Sequence, residues 1–275
     1  MKAFFSNRLA MVGLGIIVFF GLVALFAPLI APYSPTDINF TPFLPISSHH
    51  WLGTTSQGND IFSQLVYGAR SSLMVGLATA AIITVIQLFM GIFSGYVGGW
   101  VDNVLNTVTN IFLVVPALVL LIILAAYLPG KGLGVIVAIL AATGWAWGAR
   151  VLRAQAISLR DRSFVEAARM SGESRWRIVL GHVVPNMFGI LAANFFGAAL
   201  YAILAEAGLE FLGLGNINDV TWGVMLYWGE NTNAMLMGQW LFLLLPGFCI
   251  LLLGTGFGLL NFAVDQVANP RLRRN

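Results

Sequence analysis

The sequence predicts an all-α protein that crosses a membrane six times, and three observations carry that expectation. Charged residues make up 9% of the 275-residue chain and hydrophobic ones 59%, against roughly 25% charged in a soluble domain, so lipid is the solvent for most of it. Six long stretches lack Asp, Glu, Lys and Arg, lying within 9–36, 71–101, 103–130, 132–149, 178–205 and 231–264. Each holds an apolar segment near the ~20 residues that cross about 30 Å of hydrocarbon, the fourth being the shortest. Finally, no stretch alternates as a strand does, and helices satisfy their own backbone groups in lipid.

The first apolar run, Leu9 to Ile30, exceeds the about 7–15 residues of a signal-peptide core and reads as an uncleaved anchor. Ile38 to Asn59 is uncharged too, except that Pro42, Pro45, Ser47, Ser48, His49, His50 and Gly53 make it a loop. Pro116 stands in the middle of the third run, where it removes a backbone hydrogen bond and bends the helix, as a gating hinge or as a static kink. The 30 glycines fall largely inside apolar runs and suit close helix packing.

Basic residues set orientation. With the N-terminus inside, twelve of the fourteen lie on the cytosolic side: Lys2 and Arg8; Arg150, Arg153, Arg160, Arg162, Arg169, Arg175 and Arg177; Arg271, Arg273 and Arg274. Arg70 and Lys131 fall outside, so both termini are expected in the cytosol. The net charge of +3 therefore reports topology, and no nucleic-acid partner is expected. Three parts follow: 1–70 with a cytosolic tip, the first span and an external loop; a five-helix core, 71–268, with a cytosolic loop at 150–186; and a basic tail, 269–275.

The most distinctive stretch is Ser163 to Asn186, charged amid apolar runs. Ser163 with Glu166 three residues on is a capping-box pattern. The helix it starts should end at Gly172, since a left-handed C′ position favours glycine. Ser174 can cap a second short helix carrying Arg175, and Pro185 interrupts the chain again. Ala167, Ala168 and Gly172 give a face without bulk, suited to a partner's groove.

At these residues the chain resembles a known family. Glu166-Ala167-Ala168, three residues, Gly172 and then Val184-Pro185 is similar to the EAA loop of binding-protein-dependent ABC importer permeases. Trp51-Leu52-Gly53-Thr54, Phe211-Leu212-Gly213-Leu214-Gly215 behind Glu206, Trp222-Gly223 and Asn269-Pro270-Arg271 extend the resemblance, over essentially the whole chain, to the C-type subunit of dipeptide, oligopeptide and nickel permeases. It implies a type I importer (MetI-like) fold in a bacterial or archaeal cytoplasmic membrane. It also implies a second homologous permease subunit, two cytosolic ABC ATPases holding ATP and Mg, and an extracytoplasmic solute-binding protein. The ATPases would be engaged through Ser163, Glu166, Ala167, Ala168, Arg169, Gly172, Arg175 and Pro185. Three positions depart from the pattern: Asn59 replaces a usual arginine, Asn110 a common acid, and Glu210 a small polar residue. Oligosaccharide or nickel cargo stays open beside peptides.

Glu206 and Glu210 lie four apart near the outer end of the fifth span, where they form a structural or gate element, a proton relay of a secondary carrier, or simply a wet pair. Asn194, Gly197 and Gln87 are uncharged candidates for lining a pathway or bonding helices together. His49-His50, without nearby acids, reads as solvated loop and His182 as interfacial. Cys249, the single cysteine, reads as a buried apolar residue. No metal or cofactor is expected on this chain, nor catalysis: there is no Gly-x-Ser-x-Gly, HExxH or P-loop, so ATP hydrolysis must belong to other polypeptides.

Overall fold

The computed structural model describes residues 7–130 and 132–268, and these are predominantly helical, with one isolated β-bridge between Thr54 and Asp60. Helix α1, Arg8–Leu25, starts where Asn7 Oδ1 accepts the N–H groups of Leu9 and Ala10. Helix α2, Ile61–Val97, begins ten residues before the apolar run because Asp60 caps it, its Oδ2 accepting the N–H and hydroxyl of Ser63, each at 2.8 Å. Residue 70 thus lies inside a continuous helix, so a division between 70 and 71 cuts α2. The tail at 269–275, with Arg271, Arg273 and Arg274, lies outside the described residues, as do Lys2 and Lys131.

The third span breaks instead of kinking. Helices α3, Gly99–Val114, and α4, Ala117–Tyr127, meet at 88°. Val115, forced out of the helical region by the proline after it, is extended at ψ 127°, and Pro116 offers no N–H. The fourth span is also bent, by 46°, between α5, Leu133–Gly144, and α6, Ala146–Arg160. Contrary to the loop expected from 150, α6 carries Arg150, Arg153 and Arg160 on helix. Two short helices follow, α7, Ser163–Met170, and α8, Arg175–Ile178, the latter prolonged by wider turns to Asn186. Helix α9, Phe188–Phe211, comes next; α10, Trp222–Asn231, falls between the fifth and sixth apolar runs; α11, Trp240–Ala268, carries Pro246 inside it.

Among the described residues, four helices are long and apolar enough to span a membrane, or up to six spans result if each bent pair counts as one. Helix α9 is the hub, packed between α2 and α11, with α1 behind α11. Backbones approach closely there: a Cβ at Gly13 on α1 would lie 2.8 Å from the carbonyl oxygen of Gly256 on α11. In lipid, such contacts and interhelical hydrogen bonds replace the hydrophobic drive. The main core gathers Ile61, Ile83, Ile203, Trp222, Phe242 and Phe257. One end of the bundle carries 31–60 and 212–239; the other carries Ser163 to Asn186.

Candidate functional site

The elbow formed by α7 and α8 is anchored on one face and bare on the other. Val165 and Ala168 are buried against Ile92, Tyr96, Leu152, Ala156, Ile178 and Val179, which come from α2, α6 and the α8 region. Ala168 therefore packs on its own chain, which corrects its expected place on the docking face. Among the other proposed coupling residues, Ser163, Glu166, Ala167, Arg169, Gly172, Arg175 and Pro185 are exposed, and so is Met170, at 82%.

The helix ends explain this pose. The capping box does not form: Arg162 is the cap residue and its carbonyl accepts the N–H groups of Val165 and Glu166 at 2.9 and 3.0 Å. Ser163 is thereby drawn into the first turn, where its hydroxyl is out of register for capping. The stop is as expected: Gly172 has φ +77°. Its N–H donates to Arg169 (3.1 Å) and that of Glu173 to Ala168 (3.2 Å), the paired bonds of a Schellman motif. Ser174 caps α8 by accepting from the Arg177 N–H at 3.4 Å. His182 Nε2 meets Glu173 Oε2 at 3.2 Å, and Trp176 stacks on Phe93 with ring centres 4.1 Å apart. The elbow is a rigid unit fixed to the ends of α2 and α6.

Behind it, Arg153 on α6 donates twice to Asp102 on α3, at 2.6 and 2.7 Å, a bidentate geometry that fixes one helix against the other. Arg150 donates to Asn110 Oδ1 at 2.7 Å, so the amide at this atypical position still supplies an acceptor.

Further into the bundle, α2, α6, α9 and α11 enclose a cavity of about 380 Å³. It unites Gln87, Asn194 and Gly197, the three polar or small positions expected to line a pathway. Trp147, Tyr201, Asn261 and Asp265 also line it; the amide of Asn261 within an apolar run was the available sequence signal. The Asn194 and Asn261 amide nitrogens donate to the carbonyls of Ile190 (2.9 Å) and Ala193 (2.6 Å), while Gln87 Oε1 is buried with no hydrogen-bond partner. Carbonyl oxygens, a phenol and one carboxylate therefore line a largely apolar space. Pro116 is not among its lining residues.

Glu206 and Glu210 are both buried, which excludes a wet pair. Glu206 Oε1 lies 3.4 Å from the Ser72 hydroxyl of α2, and Thr221 donates to Glu210 Oε2. The pair thus ties α9 to α2 and to the start of α10. The solvated reading of His50 also fails. Its Nδ1 lies 2.9 Å from Asp60 Oδ1, between the rings of Tyr33 and Phe40, because the loop folds the acid of the α2 cap back onto it. Among the described residues no third ligating group joins them. Asn59 instead bonds within its loop, accepting from Thr55 and donating to the carbonyls of Pro35 and Asp37.

Comparison with known proteins places this geometry. Residues 87–274 match the family model of the binding-protein-dependent transport system inner membrane component, and residues 1–45 match the N-terminal membrane domain of oligopeptide transport permease C. The dipeptide transport system permease protein DppC of Bacillus subtilis is 36% identical over 271 residues, covering 98% of this chain and 84% of its own. The oligopeptide transport system permease protein OppC of Mycobacterium bovis is 36% identical over 281 residues, covering 100% and 95%. OppC of Bacillus subtilis is 35% identical over 277 residues, covering 100% and 89%. With most of the chain inside the family model and its full length matched by such relatives, the protein belongs to the family of binding-protein-dependent transport system inner membrane components.

Proposed function

We propose that this chain is the permease subunit of an ATP-driven importer that takes up di- or oligopeptides and is worked from the cytosol through Ser163 to Asn186. The observation that carries the reading is the elbow itself: a rigid helical pair whose buried face is locked to α2 and α6 and whose exposed face shows Ala167, Met170 and Gly172. Two ABC ATPases, holding ATP and Mg, would grip that face. Their closure would push α7, and α6 with its Arg153–Asp102 pair would pass the motion to the walls of the central cavity. A homologous second permease completes the pathway, and a solute-binding protein delivers cargo to the end bearing 31–60 and 212–239. Peptide cargo is preferred to oligosaccharide or nickel because the full-length relatives are named for dipeptides and oligopeptides.

This reading places the protein in the cytoplasmic membrane with both termini inside, following the excess of arginine and lysine on that side. Single cysteines in a Cys249→Ala background test it. An impermeant maleimide added to intact cells should label Asn218→Cys, and should reach Met170→Cys only after permeabilisation. Labelling of Met170→Cys on intact cells would remove the ATPases from reach of the elbow and sink the proposal.

A further inference from the structure

At the end opposite the elbow, a second cleft lies between the segment 35–64 and the segment leading into α10. It encloses about 210 Å³ and is lined by Gln57, Asn59, Gln64, Asp219, Met225 and Trp228 among others, sharing no residue with the central cavity. The Asp219 carboxylate is only half satisfied. Oδ1 accepts from Asn216 Nδ2 at 2.7 Å, while Oδ2 is buried without a partner, and among the described residues no cation pairs with it. Burial holds this carboxyl above the ordinary range for aspartate, against the opposite pull of the Asn216 bond. Opposite it, Trp228 forms a wall, its Nε1 held by the Ile217 carbonyl at 2.9 Å.

We propose that this cleft receives one lysine or arginine side chain of the docked solute-binding protein, with Asp219 as its counter-ion. The proposal rests on the importer reading and adds a contact to it. Volume argues against a whole cargo: small-molecule sites run from about 300 to 1,000 Å³, and this cleft is smaller. A long aliphatic stem suits the Met225 and Trp228 walls, and its cationic head suits a carboxylate oxygen that lacks a donor. The sign fits the surface as well. Of the acids on the two loop segments and the helix ends that bear them, Asp60 and Glu210 are buried, while Asp37, Asp219 and Glu230 reach the surface, with Arg70 as the matching base.

The test uses the full transporter in lipid nanodiscs and its own solute-binding protein. Asp219→Asn preserves shape and the Asn216 contact, and should raise the Kd for the binding protein about tenfold and flatten its salt dependence, leaving basal ATPase activity unchanged. Asp219→Lys should weaken docking further, and a Lys→Glu or Arg→Glu change in the binding protein should restore it. A wild-type Kd in both variants would overturn the inference, as would weakened cargo uptake at unchanged binding-protein affinity, since that would put the cargo's own ammonium in the cleft. If the wild-type transporter itself shows no response to the binding protein, the importer reading fails first, and this inference with it.

Discussion

Gly172→Leu should abolish uptake while the membrane domain still assembles. Two penalties add. A leucine at φ +77° costs about 1–2 kcal/mol, because a Cβ crowds the backbone in the left-handed region. Yet a Cβ at this position meets nothing within 4 Å in the chain itself, so the second penalty arises only when a partner closes over the elbow. A bulky side chain in a fitted groove can cost a few kcal/mol, and about 1.4 kcal/mol is a decade of affinity. Gly172→Ala separates the two: it keeps the backbone cost but adds little bulk, so uptake should fall only several-fold. Glu166→Lys should leave the fold intact, because no capping box depends on that carboxylate, and any loss of uptake would belong to the contact with the ATPase. The readout is uptake together with co-purification of the ATPases. Normal uptake by Gly172→Leu would show the elbow's exposed face to be idle.

Asn194→Trp should stop uptake by a different route. The Asn194 side chain lines the 380 Å³ cavity and its amide serves only the carbonyl of Ile190, four residues back on the same helix. Its loss therefore costs the fold about 1 kcal/mol, whereas an indole in the cavity takes the space that cargo needs. Uptake should fall by at least tenfold, while the ATPases remain bound and the binding protein still stimulates them. Undiminished uptake would move the pathway away from this cavity.

Much of this architecture was legible because lipid leaves a coarse signature, the charge-free runs that mark the spans. Gly172 was legible because a left-handed helix end is a local demand that glycine answers. Several features resisted for one shared reason, that partners distant in sequence decide them. Asp60 starts α2 inside a stretch whose composition says loop, and the same acid buries His50. Glu206 and Glu210 looked close to the surface because glycines follow them, yet Ser72 and Thr221 cover them from α2 and the start of α10. The capping box at Ser163 failed by one residue, which pattern matching does not resolve. Gln87, Asn194 and Gly197 were visible one by one, but their shared cavity exists only once four helices have packed.

The most direct test of the central claim is the energy source. The chain, its partner permease and both ATPases are reconstituted in vesicles with ATP inside, and the binding protein with labelled peptide outside. Uptake should require ATP and survive an uncoupler that collapses the proton gradient, and the purified chain alone should neither hydrolyse ATP nor transport. Loss of uptake with the uncoupler at constant ATP would contradict the account and make the buried pair Glu206 and Glu210 the engine of a proton-coupled carrier.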